Sequence, residues 1–202
     1  MLTAIKRYFL PFQHYLGKLE YRQWAIAGLT ALTVLMFVLG YPTSAWAEIQ
    51  DDRFDGNIFA LYAGNGSLVP PRVTLSQSFS GEKPTLLTFY VEDSKDCKQF
   101  SAVISQLQAY YGRAIDFIPI NVDSIPALDR YSPDEPGYYY TGQVPQTLLF
   151  DMAGTKVLDK VGRVDFEIFD DALRDMFDLL PRSESIPLKP RSINAVNAEL
   201  VK

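Results

Sequence analysis

Few residues in this chain of 202 could do covalent chemistry. Ser94-Lys95-Asp96-Cys97-Lys98 places a hydroxyl and a thiol three residues apart, and Cys97 is the only cysteine. A thiol–disulfide cycle needs one thiol to attack and a second to resolve the mixed disulfide, so one chain alone cannot complete it. An intramolecular disulfide and a multi-cysteine metal site are excluded on the same count. The only histidine is His14, upstream of the hydrophobic segment. The folded part therefore has no imidazole, which excludes Ser-His-Asp and Cys-His catalysis within one chain. No metal, flavin, nucleotide or haem motif is visible, and the glycines form no phosphate loop in a strand–loop–helix setting. No cofactor is expected.

Each candidate has a chemical and a structural reading. Cys97 is either a reactive thiol, its pKa lowered by a helix N-terminus and by Lys95 or Lys98, or a small core residue packed behind the first helical turn. Ser94 has no base to activate it and fits a helix cap. Glu92, Asp93 and Asp96 suggest acid–base chemistry or a cation site, or they suit a helix start, where acidic groups complement the dipole. Tyr131, Tyr138, Tyr139 and Tyr140, with Pro133 and Pro136, form an aromatic, restricted loop. Tyrosine gives an interface large contact area plus a hydroxyl, or it covers the domain's own core. Asn65-Gly66-Ser67 has the form of a glycosylation sequon and reads as a turn.

The elements that must position these residues come from periodicity. Ile58–Tyr62 reads as a first strand, and Val73–Phe79 as a short strand or helix. Thr85–Val91 is a nearly continuous apolar run, as for a strand buried on both faces. Asp93 or Ser94 caps the next helix, whose stripe is Phe100, Val103, Ile104, Leu107 and Tyr110/Tyr111, with Gly112 ending it. Ile115–Asp123 is a second strand, with Pro119 pointing to a bulge. A short helix is expected around Ala127–Arg130. Gly142–Asp151 turns into a third strand, Gly154 makes a hairpin, and Thr155–Val161 pairs back. Asp165 or Glu167 opens a last helix with Phe166, Phe169, Leu173, Met176, Phe177 and Leu180 on its apolar face. The order β-α-β-α-β-β-α is an α/β sandwich.

That order, over about residues 56–180, resembles the thioredoxin fold. The marks are the strand ending near Val91, Cys97-Lys98 at the helix start, Asn121-Val122-Asp123, Val144-Pro145-Gln146-Thr147, and Gly154 then Gly162. The resemblance implies a three-layer sandwich with a cis bond before Pro145, shaping a groove beside the helix. It also places Ser94 where the family carries its nucleophilic cysteine, with Asp93 before it in place of tryptophan. In this fold the tyrosine loop would lie beside the groove that grips peptides. The expected binding residues are therefore Ser94, Cys97, Tyr138, Tyr139, Tyr140, Val144 and Pro145.

The N-terminal part carries an export signal. Residues 24–40 hold no charged residue, at the short limit for a bilayer span. Lys18 and Arg22 precede them, which keeps the N-terminus cytoplasmic. Ala45-Trp46-Ala47 has signal-peptidase spacing. A transmembrane anchor and a cleaved signal both remain open. The expected organisation is a basic leader (1–23), an anchor or signal core (24–41), a linker with a candidate cleavage point after Ala47 (42–55), a thioredoxin-like domain (56–180) and a C-terminal tail (181–202). Beyond residue 47 the chain holds 15 basic and 23 acidic residues, the wrong sign for nucleic acid.

An anchored, exported, acidic thioredoxin-like domain with a degenerate motif resembles the cyanobacterial thylakoid-membrane factors needed for photosystem I accumulation. The resemblance implies a thylakoid membrane protein with its domain in the lumen. It also implies protein clients, photosystem I subunits or assembly factors among them, and no redox chemistry. The alternative is a monothiol exchange protein working through Cys97.

Overall fold

The computed structural model describes residues 21–36, 48–81 and 83–186. The chain divides into two units, residues 1–46 and 47–202. In the first, residues 21–36 are helical (α1). Among the described residues no helix is long and apolar enough to cross a membrane. The expected span 24–41 is described only as far as residue 36, and His14 lies outside the described residues.

The second unit is built on a mixed four-stranded sheet in the order β2-β1-β3-β4. Its strands are β1 (Thr85–Tyr90), β2 (Asp116–Asn121), β3 (Gln146–Phe150) and β4 (Lys156–Val161). β1 and β2 are parallel; β1–β3 and β3–β4 are antiparallel. Every residue of β1 and β3 is buried, as expected where both faces are covered. Side-chain alternation sends Leu86 and Tyr90 into one core and Leu87 and Phe89 into the other.

The first core lies under α2 (Ile58–Leu61), α4 (Lys95–Tyr111) and α5 (Phe166–Met176). In α4, Cys97, Phe100, Ile104, Leu107 and Tyr111 are buried at three- and four-residue spacing, the stripe of an amphipathic helix. Gly112 ends it, its N–H bonding to the Gln108 carbonyl. α5 buries Phe169 and Leu173, while Leu180, past its end, is exposed and leaves the expected apolar face. The second core lies under α3 (Leu75–Phe79) and the tyrosine loop. Thr74 and Gln77 form a reciprocal capping box that settles 73–79 as helical. The result is a thioredoxin-like α/β sandwich, and the Val144–Pro145 bond is cis as expected. The Val69–Pro70 bond is also cis.

Three expectations are corrected. Ile58–Tyr62 is a helical turn rather than a strand, because the Asn57 side chain accepts from the Ala60 N–H. The Tyr62 N–H bonds back to the Ile58 carbonyl, an i to i−4 helical hydrogen bond. Pro119 needs no bulge: β2 keeps an unbroken register against β1, with Thr88 opposite Pro119. β2 is an edge strand, where a missing N–H is tolerated. The helix around Ala127–Arg130 is absent; short 3-10 turns at Val122–Ser124 and Pro136–Tyr138 stand on either side instead. Asn65 of the sequon leads into a 3-10 turn and is buried, its amide donating to Gln108 at 2.5 Å, while Gly66 and Ser67 are exposed.

Gly137 lets the tyrosine loop close. A Cβ there would sit 2.4 Å from the Tyr131 ring, whose hydroxyl bonds the Pro126 carbonyl at 2.6 Å. Gly137→Ala is expected to lower stability by about 1–3 kcal/mol, the usual range for overpacking. Urea denaturation of wild type and variant measures it.

Candidate functional site

The start of α4 is organised by its cap. The Ser94 side chain accepts from the Cys97 N–H at 3.3 Å, and Asp52 Oδ1 accepts from the Lys95 N–H at 2.8 Å. Two of the helix's orphan amides are thereby satisfied by oxygens. Cys97 points into the first core and is 1% exposed. Burial pushes its thiol pKa up. Hydrogen bonds from the Val91 backbone and Ser94 oppose the shift, and Asp96 and Asp93 add to it. The arrangement stabilises the neutral thiol.

Lys98 is 0% exposed, a long cationic side chain inside the domain. Its ammonium donates to Asp55 Oδ2 (2.5 Å), Asp51 Oδ1 (3.0 Å) and the Glu48 carbonyl (3.1 Å), and lies 5.4 Å from the Tyr62 ring centre. The Tyr62 hydroxyl also donates to Asp55 at 2.5 Å. Burial alone would lower the Lys98 pKa, but its hydrogen bonds to Asp55 and Asp51 outweigh that and the net shift is upward. Gln99 Nε2 bonds Gln50 Oε1 at 3.0 Å. Residues 48–55, within the expected linker, thus form a strap against Lys95, Lys98 and Gln99 of α4. Sequence reasoning missed this clasp, because its partners are 43 and 47 residues apart.

The remaining site residues are distributed over both faces. Gly162 N–H donates to the Pro145 carbonyl at 2.7 Å. Arg163, next in the chain, pairs with Asp96 at 3.4 Å and donates to Gln99, tying the Pro145 turn to the start of α4. Pro145 itself is buried. Tyr139 and Tyr140 pack against the second core, on the opposite face from Cys97. The Tyr139 ring meets Phe150 edge-on at 4.9 Å and Tyr138 at 5.0 Å; Tyr140 lies 5.2 Å from Phe89. Burial pushes the Tyr139 hydroxyl pKa up. Gln146, wholly buried, donates to the Tyr139 carbonyl and accepts from the Thr141 N–H, both at 3.0 Å. Tyr138 is 55% exposed. Val144 is packed against both cores and connects the two groups.

Two further features were not read from the sequence. Asp170 is buried between the Tyr111 hydroxyl (2.5 Å) and Arg174 Nε (2.8 Å), although its i,i+4 pairing with Arg174 is a visible pattern. Arg174 also donates to the Leu180 carbonyl and Ser185, both at 2.9 Å, which fixes the first residues of the expected tail. Among the described residues no group of three or more His, Cys, Asp or Glu side chains could hold a metal ion.

The chain is 54% identical, over 167 residues and 83% of each protein, to the thylakoid membrane protein slr1796 of Synechocystis sp. strain PCC 6803. It is 22% identical over 98 residues to the thiol:disulfide interchange protein TxlA homolog of that organism, covering 48% of this chain and 52% of that one. Among solved structures, a mutant thioredoxin from Halobacterium salinarum matches at 22% identity and a TM-score of 0.41, over 53% of this chain and 86% of that chain. No family model matches.

Two outcomes follow from the geometry. Cys97 in the folded chain is expected to react with iodoacetamide near neutral pH at least about tenfold more slowly than in urea, since the thiol is buried and its pKa raised. Comparable rates would show that the site opens readily. Asp51, hydrogen-bonded by Lys98, has its pKa lowered to about 2 from 3.8. A depressed carboxylate stabilises the fold above its unfolded pKa and loses that contribution as pH falls through the folded value. The urea midpoint of wild type should therefore fall more steeply between about pH 4 and pH 2 than that of Lys98→Met, where the partner charge is gone.

Proposed function

We propose that this chain, which belongs to the family of the Synechocystis thylakoid membrane protein slr1796, holds its thioredoxin-like domain at the thylakoid membrane. There the domain binds protein clients in support of photosystem I assembly or accumulation. It does so without redox chemistry of its own. Residues 24–41 anchor it, and the domain works on the lumenal side. The observation that carries the reading is the state of the two motif positions. Ser94 is a helix cap, and the one thiol, Cys97, is 1% exposed with its pKa raised. Neither position offers a poised nucleophile. The relative's name supports the thylakoid membrane, and the resemblance drawn from the sequence supports photosystem I.

Clients would dock at the start of α4 and the Val144-Pro145 turn, with Tyr138, on the loop that covers the sheet's other face, as a second contact. Tyr138 is the exposed member of the tyrosine trio, so its ring is free for a partner, whereas Tyr139 and Tyr140 hold the loop in place.

The test is photosystem I content in a Synechocystis strain lacking slr1796, complemented with this chain. Cys97→Ser is expected to restore wild-type content, and Tyr138→Ala to restore less at equal protein abundance. Failure of Cys97→Ser at normal abundance would favour monothiol exchange. A deletion that leaves photosystem I unchanged would remove the photosystem I assignment.

A further inference from the structure

We infer that Phe54 and Leu61 form the surface by which the folded unit rests on a lipid bilayer of uncharged or zwitterionic headgroups. The inference rests on the reading above that residues 24–41 anchor the chain. Phe54 is 69% exposed and Leu61 50% exposed. A Cβ on Gly56 would lie 3.7 Å from Leu61 Cδ1, so the leucine side chain lies beside the residue that follows the strap, two positions along the chain from Phe54.

The strap is not a frayed end. On one side of Phe54, Asp51 and Asp52 are held by Lys98 and the Lys95 amide; on the other, Asp55 is held by Lys98 and Tyr62. The clasp fixes the backbone on both sides of an aromatic ring that stays in water, rather than letting the ring fold inward. An exposed phenylalanine with a leucine on an ordered segment suits the headgroup–acyl boundary, where Trp, Phe and Leu side chains of interfacial segments are buried.

The occupant is chosen by chain length and charge. Six residues, 42–47, separate the apolar run from Glu48. Seven extended steps reach at most about 25 Å, so the strap of an anchored chain cannot leave the neighbourhood of the surface. Trp46, two residues before the strap, is itself a residue type of the interface. Two apolar side chains would bind vesicles only weakly from solution. A short tether gives an effective concentration in the millimolar range, enough for a weak patch to dock. Around the patch, Glu48, Asp51, Asp52 and Asp55 outnumber Arg53 and Lys98. This excess of negative charge repels anionic headgroups within a Debye length and selects uncharged or zwitterionic ones.

The experiment uses the full chain in phosphatidylcholine vesicles with brominated acyl chains, which quench indole fluorescence on contact. In a Trp24→Phe, Trp46→Phe background, one indole is introduced by Phe54→Trp or, as a control on an exposed site elsewhere, by Leu179→Trp. A further chain keeps Trp24 alone. The expected result is strong quenching and a blue shift for Phe54→Trp and for Trp24, little for Leu179→Trp, and weaker quenching of Phe54→Trp when anionic lipid is added. If Phe54→Trp is no more quenched than Leu179→Trp while Trp24 is quenched, the docking surface is overturned and the anchor stands. If Trp24 is unquenched, the anchor reading fails and the inference falls with it.

Discussion

The ammonium of Lys98 has no solvent to turn to, and much of the domain's organisation follows from that. A buried cation must be paired and hydrogen-bonded, because removing one partner leaves a charge that the interior cannot solvate. Its two carboxylates come from Asp51 and Asp55, outside the sheet and its helices. Segment 48–55 is thereby fixed to α4, Tyr62 is drawn to Asp55, and the domain begins at the strap rather than at the first regular element. Asp52 and Gln50 add contacts to Lys95 and Gln99 that would be marginal alone. They gain from a backbone the clasp has already ordered.

The sheet's second face shows a different solution to a similar problem. Leu87, Phe89, Ile118, Leu148 and Phe150 are buried there, yet between β2 and β3 the chain supplies only 3-10 turns. Aromatic area replaces the missing helix. Tyr139 stands edge-on to Phe150 and Phe79, and Tyr140 leans on Phe89. Rings bury much surface with few torsions to freeze. Their backbone still needs partners, and Gln146 provides them from within the sheet. The loop is core on its inner side and leaves Tyr138 for solvent.

What the sequence made legible follows interaction range. β1, α4 and α5 were readable because burial on a regular element repeats every two or every three to four residues. Ser94 and Gly112 were readable because capping acts within one turn. Ile58–Tyr62 reads as a strand because a short apolar run fits a buried strand and a helical turn equally; the Asn57 cap separates them. Pro119 reads as a bulge from the sequence because strand order, which makes β2 an edge, is a global property. The clasp on Lys98 and the pairing of Tyr111 with Asp170 left no periodic trace, since each joins side chains more than forty residues apart. The placement of Cys97 and the tyrosines on opposite faces likewise came only with the fold.

The start of α4 is organised to hold shape rather than to activate a thiol. A helix N-terminus favours a thiolate through unsatisfied amides and the positive end of the dipole. Here the amide of Lys95 is taken by Asp52 and that of Cys97 by Ser94. Lys98, the nearest buried cation in sequence, is committed to Asp51 and Asp55. Asp93 and Asp96 push the thiol further toward its neutral form. Those two amides and the Lys98 ammonium are thus engaged in keeping the helix capped and the strap attached. Ser94→Cys would therefore add a second sulfur and remove the side chain that caps α4, and would leave the acidic surroundings unchanged. The electrostatics around the motif, as much as the missing thiol, separate this site from a dithiol centre.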